Sequence, residues 1–273
     1  LPGLLPDLTD SEALEVTAIH SVAGLLSPRT PLVTRPPFIA PHHSSSVAAL
    51  VGGGSGLARP GAISRAHRGV LFLDECAEIR LSALESLRTP LEDGEVRLAR
   101  RDGVARYPAR FQLVLAANPC PCARTDPRDC ICTSLDRRRY LGKLSGPLLD
   151  RVDLRVQLHT VRAGAFAVEP AESSSAVRAR VAQARAAAAE RWCPYGFTTN
   201  AEVTGVVLRR RFRLDAVVMA PLKFALERGL ISIRGVDRSL RVAWTLGDLA
   251  GRTAPNLDDV TTALSFRQAE VRT

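Results

Sequence analysis

Gly69-Val70-Leu71-Phe72-Leu73-Asp74-Glu75 is the stretch that decides the fold. Four apolar residues run without a break and end in two adjacent carboxylates. A continuous apolar run of that length, closed abruptly by charge, reads as a strand buried on both faces, the central parallel strand of an α/β sheet. Ligands of such sheets bind outside the carboxyl ends of the strands, where Asp74 and Glu75 stand. Two carboxylates there suit nucleotide hydrolysis: the first holds Mg²⁺ through water, and the second orients or deprotonates an attacking water. The rival reading is a buried strand whose Asp-Glu only caps the next helix. These residues alone weigh the two equally.

The neighbouring stretches separate them. Phe111-Gln112-Leu113-Val114-Leu115-Ala116-Ala117-Asn118 is a second buried strand, and it also ends in a polar residue. Asp74, Glu75 and Asn118 then share one rim of the sheet, which favours chemistry over capping. Between the two strands, Leu81, Leu84, Leu87 and Leu91 fall on one face of a helix with Pro90 near its end. Residues 94–110 alternate: Val96, Leu98, Val104 and Tyr107 are apolar, and Arg97, Arg100, Arg101, Arg106 and Arg110 interleave. The spacing predicts a β-hairpin with Arg101-Asp102-Gly103 near the turn. A ribbon this basic is a solvated surface element or a nucleic-acid finger, and the pattern alone favours the surface.

Upstream, residues 10–24 have helical spacing, with Thr9 or Asp10 as N-cap and Glu12 in the first turn. A proline-rich loop leads to His42-His43-Ser44-Ser45-Ser46, whose serines cap a short helix through Leu50. Gly52-Gly53-Gly54-Ser55-Gly56 then reads as a mobile loop. No Lys-Ser/Thr follows it, so it is not a phosphate-binding P-loop. Gly61 to His67 is a short helical turn into the key strand.

Downstream, Cys120-Pro121-Cys122 and Cys130-Ile131-Cys132 offer four thiolates for tetrahedral zinc. A loop of reduced thiols fits the same residues about as well, and Cys76 and Cys193 read as ordinary cysteines. From Asp153, the alternation of Leu154, Val156 and Leu158 predicts a third strand. Residues 163–176 read as a linker, Ala176 to Arg191 as a helix, and residues 200–273 as helical throughout, with boundaries near Pro221, Gly229 to Gly235 and Pro255-Asn256. The expected architecture is α/β: a parallel-sheet core over residues 1–165, then a helical lid over 170–273.

The 273 residues are 46% hydrophobic, enough for a real core. No apolar run approaches a membrane span and no signal-like segment opens the chain, so a cytosolic protein is expected. Thirty-seven Lys+Arg against 28 Asp+Glu leave a net charge of +9, which favours polyanionic partners, although Arg- and Ala-rich chains from high-GC genomes share this balance.

Taken together, several segments resemble the magnesium-chelatase-like branch of the AAA+ ATPases, and within it the ComM (YifB) family. They are Arg35-Pro-Pro-Phe-Ile-Ala-Pro-His-His-Ser-Ser-Ser, Val51-Gly-Gly-Gly, Pro60-Gly-Ala-Ile-Ser-Arg-Ala-His-Arg through Glu75, Tyr107-Pro-Ala-Arg through Cys122, Ser145-Gly-Pro-Leu-Leu-Asp-Arg-Val-Asp-Leu and Ser232-Ile-Arg-Gly-Val-Asp-Arg-Ser-Leu-Arg-Val-Ala. The resemblance covers most of the chain in order and is especially close to actinobacterial members, which carry the same cysteine run. It implies an AAA+ P-loop-NTPase-type sheet core with a helical lid. Asp74 resembles the Walker B carboxylate that holds Mg²⁺, and Glu75 the catalytic glutamate. Asn118 resembles the sensor-one residue, Arg151 the arginine finger that reaches a neighbouring subunit's nucleotide, and Arg234 the sensor-two arginine, with Arg238 and Arg241 as weaker nucleotide-binding candidates. The residues near 35–60 and the hairpin at 94–110 resemble insertions that line the pore of a ring. That assigns His42, His43, Arg97, Arg100, Arg101 and Arg106 to DNA binding; metal ligation by the two histidines is disfavoured, because a mobile loop offers no fixed geometry.

The resemblance also implies ATP and Mg²⁺, a homo-oligomeric ring, hexameric in this family, and action on branched DNA. The family's P-loop and its Lon-like N-terminal domain are missing. The expectation is therefore the C-terminal part of a longer protein, and a fragment that alone binds ATP weakly and hydrolyses it negligibly. Two other readings stay open: an ATPase subunit driving Mg²⁺ into a porphyrin, and an inactive scaffold or DNA-binding adaptor.

Overall fold

The computed structural model describes residues 2–29, 32–54, 58–100, 103–124, 129–158 and 172–268. The chain divides into two compact units, residues 1–151 and 152–272.

The first unit is built on three parallel strands, β1 (Phe38–Ile39), β4 (Val70–Leu73) and β7 (Gln112–Leu115), in the order β1-β4-β7. Phe38 pairs with Val70, and Val70 with Gln112, so β4 is central. That position explains its unbroken apolar run: Leu71 and Leu73 are fully buried. Around them pack Ile63, Leu84, Leu87 and Leu148.

Helix α1 (Asp10–Val22) is opened by a capping box in which Thr9 accepts from the Glu12 amide and Glu12 answers to the Thr9 amide. It is tied to the core by Glu15, which takes hydrogen bonds from His67 Nε2 (2.9 Å) and Arg68 Nε (3.0 Å). His67 is buried, and its Nδ1 accepts the Arg110 amide at 3.0 Å, so the ring is held neutral. Burial pushes the imidazole below its ordinary value despite Glu15.

Ser46 caps α2 (Val47–Val51), as the serine run predicts. The glycine run differs from expectation: Gly52–Gly53 forms β2, paired antiparallel with β3 (Arg59–Pro60), while residues 55–57 lie outside the described residues. Helix α3 (Ala62–Arg65) follows. The single helix expected over 81–91 is two, α4 (Leu81–Glu85) and α5 (Arg88–Asp93). Pro90 has no amide hydrogen for the Ser86 carbonyl, so the ladder breaks one turn before it. Leu84 and Leu87 are buried as predicted, but Leu81 is 52% exposed.

The hairpin forms. Strands β5 (Glu95–Arg100) and β6 (Gly103–Pro108) pair antiparallel from Glu95↔Pro108 to Arg100↔Gly103. Arg101 and Asp102, the predicted turn, lie outside the described residues. Helices α6 (Ser134–Leu141) and α7 (Gly146–Leu149) complete this unit.

The third strand predicted from Asp153 is absent. Residues 154–158 are irregular, and Leu154, Val156 and Leu158 are 48%, 64% and 89% exposed. Alternation fixes which side chains share a face, but a strand also needs an edge to pair with. The one backbone bond given for this stretch runs from the Arg155 amide to the Phe266 carbonyl.

The second unit is helical: α8 (Ser174–Trp192), α9 (Gly205–Arg210), α10 (Ala216–Glu227), α11 (Ile233–Leu249) and α12 (Leu257–Gln268). The predicted linker at 163–176 falls largely outside the described residues, and its last three residues already belong to α8. Pro221 sits inside α10 rather than ending it; Val217, whose carbonyl loses its partner there, is 72% exposed. Val236, Leu240, Ala243, Trp244 and Gly247 make the buried stripe of α11 against Trp192, Leu222 and Leu264. Trp192 Nε1 donates to Asn200 at 2.7 Å, and Asn200 donates to Asp248 at 2.8 Å. Asp248 also pairs with Arg191. Among the described residues no helix is long and apolar enough to cross a membrane.

Candidate functional site

The carboxyl end of β4 turns sharply. The Glu75 amide donates to Asp74 Oδ1 at 2.9 Å, and Glu75 has φ 47°, a left-handed conformation that a glutamate occupies only when its surroundings impose it. The next amide, Cys76, is fixed by the Ala116 carbonyl at 2.9 Å, and Ala116 in turn donates to Leu73 at 3.0 Å. The turn is therefore stapled to the end of β7. Cys76 is buried among the core residues, and burial pushes its thiol up to about 11. Asp74 and Glu75 are exposed, so both carboxylates reach solvent on the rim. Asn118, half-buried, lies on the same rim just past β7.

His43 joins this rim. Its Nδ1 stands 2.6 Å from Glu75 Oε2, and its ring lies 4.1 Å from that of His42. His42 Nδ1 is 2.8 Å from Ser44 Oγ. The contact follows from register. His43 and Glu75 are each five positions beyond the paired residues Phe38 and Val70. Only once β1 is paired with β4 does counting along the strands locate it.

Arg151 follows α7. Ser145 caps that helix and donates to Glu85 Oε1 at 2.5 Å, and Leu148 is buried. The Ser145 hydroxyl and then Arg88 hold the Glu85 carboxyl below its ordinary value. Arg151 donates to the Pro147 carbonyl at 2.7 Å and pairs with Glu92 of α5 at 2.5 Å. In the second unit Arg234 is exposed in the first turn of α11. Arg238 is 2.7 Å from Asp153 Oδ1, and Arg241 Nε donates to the Val203 carbonyl at 2.8 Å. Burial, then Arg238, lowers the Arg241 guanidinium from its ordinary value. Arg241 is thus committed to its own unit's backbone. Glu92 and Asp153, the partners of Arg151 and Arg238, carried no signal in the sequence.

The basic hairpin has two distinct faces. Val96↔Tyr107 and Leu98↔Ala105 face inward, and the Tyr107 hydroxyl donates to the Ala58 carbonyl. Arg97 and Arg106 are paired directly across the outer face, and both are exposed. Like charges opposite each other are unfavourable. Glu95, 2.5 Å from Arg97 Nε, offsets part of this repulsion and raises the guanidinium further. The side chains of Arg100 and Arg101 lie outside the described residues.

The four cysteines converge. Their sulfurs all lie within 4.8 Å of one another, with Cys120–Cys122 at 3.3 Å, Cys120–Cys130 at 3.5 Å and Cys122–Cys130 at 3.6 Å. All four are free thiols, and Cys120 is buried.

A family model described as "Magnesium chelatase, subunit ChlI" matches residues 1–166, and one described as "Magnesium chelatase, subunit ChlI C-terminal" matches residues 171–267. An uncharacterized protein of Mycobacterium tuberculosis is 76% identical over 272 residues, covering 100% of this chain and 54% of that protein. YifB of Escherichia coli is 40% identical, with 97% of this chain and 52% of YifB covered. The competence protein ComM of Haemophilus influenzae is 37% identical, with 98% and 52% covered. The chain spans about half the length of these relatives.

Proposed function

The chain belongs to the magnesium chelatase ChlI family, and from that membership we propose that it forms most of the ATPase module of a ring-shaped motor acting on DNA. The observation that carries this reading is the rim made by β4 and β7. Two solvent-facing carboxylates and one amide stand at the carboxyl ends of adjacent parallel strands, where this sheet type binds ligands. The oxygens of Asp74 suit hard Mg²⁺, which keeps most of its own waters and needs few protein ligands. Mg²⁺ there would neutralise charge on the phosphates.

Glu75 is the proposed group that orients or deprotonates the attacking water. Its left-handed backbone and the staple of the next residue, Cys76, to Ala116 hold it at the rim. Asn118 places that water from the neighbouring strand. Arg151 is proposed to act on a neighbouring subunit's nucleotide, for which it must exchange Glu92 for phosphate oxygens. Arg234 is the proposed nucleotide-sensing arginine of the helical unit. Arg238 and Arg241 are engaged by Asp153 and Val203, so they fit a supporting role better.

DNA is the proposed polyanion. The net charge of +9, the outward Arg97–Arg106 pair and the resemblance to a competence protein support it. The ComM resemblance extends the proposal to hexamers that drive branch migration during recombination and transformation, in the cytoplasm.

The test is ATP turnover by the intact protein with and without branched DNA. Stimulation by DNA is expected, and Glu75→Gln should lower turnover by about 10²-fold or more while the protein still binds nucleotide. Full turnover in Glu75→Gln would remove Glu75 from the mechanism. The family match favours one second reading, an ATPase subunit that drives Mg²⁺ into a porphyrin. Turnover indifferent to DNA but raised by a porphyrin chelatase partner would establish it. No turnover under either condition would leave a scaffold or adaptor.

A further inference from the structure

We propose that Cys120, Cys122, Cys130 and Cys132 bind one zinc ion, forming a closed tetrathiolate site that fastens the end of β7 to the start of α6. The argument begins with distance. Zinc–sulfur bonds of about 2.3 Å in a tetrahedron set the sulfurs about 3.8 Å apart. Three of the separations here are 3.3, 3.5 and 3.6 Å, and no pair among the four exceeds 4.8 Å. Such separations are far from a disulfide bond of about 2.05 Å, and they suit four ligands around one ion. Soft thiolates in this arrangement select zinc over hard cations.

The backbone is shaped for the same purpose. Ala123 takes a left-handed φ of 49°, and its amide returns to the Cys120 carbonyl at 3.2 Å. This turn brings the Cys122 sulfur back beside that of Cys120. Four thiolates around Zn²⁺ leave two negative charges. Arg137 lies beside them, donating to the Cys132 carbonyl at 3.4 Å, and Arg138 and Arg139 follow on α6.

The position gives the ion a structural role. Cys120 is two residues past Asn118. Cys132 immediately precedes Thr133, which caps α6 through a reciprocal bond with Asp136. At the other end of α6, Tyr140 and Leu141 pack on Ala77, two residues beyond Glu75. A single ion therefore joins the Asn118 end of the rim to the helix that packs on Ala77, just past the Glu75 turn. The metal site stands without the ATPase reading; only its relevance to Asn118 rests on that reading.

The intact protein, purified under reducing conditions in metal-free buffer after expression with zinc, should carry one zinc per chain by plasma mass spectrometry. Cobalt exchanged into the wild-type protein should show the absorption of a tetrahedral tetrathiolate site. Zinc should be lost from Cys130→Ser/Cys132→Ser. As a check independent of that variant's folding, hydrogen exchange of the wild-type protein is followed before and after chelation: loss of protection is expected in the amides from Asn118 to Asp136, with the rest of the first unit unchanged. A zinc-free protein with four titratable thiols overturns the proposal. So does iron in place of zinc, or a cobalt spectrum with fewer than four sulfur ligands.

Discussion

At the scale of the residue, the contact between His43 and Glu75 matters most. The pair is partly exposed, 35% and 48% at the side chains, so it is worth at most about 1 kcal/mol. That is enough to bias the Glu75 carboxylate toward His43 and away from a water on the rim. His43→Ala should therefore leave stability nearly unchanged and raise DNA-independent ATP turnover of the intact protein by up to about fivefold, the factor that 1 kcal/mol commands. Unchanged or reduced basal turnover would show that the contact does not restrain Glu75. A second residue-scale prediction concerns His67. It is buried and neutral, and it faces Glu15 of α1 together with Arg68 and Arg110. Its folded value lies below the ordinary 6.5, so between the two the unfolded chain binds a proton that the folded chain refuses. Stability is thus complete above about pH 6.5 and falls as the pH drops through that value. At Glu15, desolvation raises the carboxyl, but the bonds from Arg68 and His67 outweigh it, so a second loss follows below its ordinary 4.5. Thermal melts across pH 8 to pH 4 should show both steps, and Glu15→Gln should remove the lower one.

At the scale of the element, Gly69 is where β1 and β4 meet. A Cβ there would run into the Pro37 carbonyl, and that carbonyl accepts the Val70 amide at 2.8 Å. Gly69→Ala should cost about 1–3 kcal/mol, read as a lower denaturation midpoint, because it strains the first pairing of the central strand. A neutral effect would mean that β1 yields easily. This element shows how far the sequence was legible. The β4 strand, the hairpin and the Thr9 and Ser46 caps were all readable, because each is written in local chemistry: an apolar run, an alternation, a hydroxyl before a helix. The division of residues 81–93 into two helices depended on the Ser86 carbonyl losing its partner at Pro90, a detail that the leucine spacing overrode. The alternation of residues 154–158 promised a strand but contained nothing about which edge would accept it. At the rim, Asp74, Glu75 and Asn118 were legible as strand ends. The His43, Glu92 and Asp153 contacts were not, because each depends on residues distant in sequence meeting after the fold forms.

At the scale of the whole molecule, a net charge of +9 attracts any polyanion, so charge alone does not separate DNA binding from basic composition. The hairpin offers a sharper criterion. Its inner face is anchored by Val96, Leu98 and Tyr107, so removing outer arginines should not unfold it. Arg97 and Arg106 stand opposite each other on the outer face, an arrangement that costs repulsion and that the proposed DNA phosphates would relieve. Each phosphate contact releases counterions and contributes about 0.9 to the slope of log affinity against log salt. Arg97→Ala/Arg106→Ala in the intact protein should therefore weaken DNA binding at low salt and flatten that slope by about 2, with the thermal midpoint held or slightly raised. The change should be the same for every DNA sequence tested, because phosphate contacts position the duplex without reading it. If affinity drops but the slope stays fixed, the arginines act through the shape of the hairpin. If neither changes, the hairpin is a solvated ribbon, and the polyanion must be held elsewhere on this basic chain.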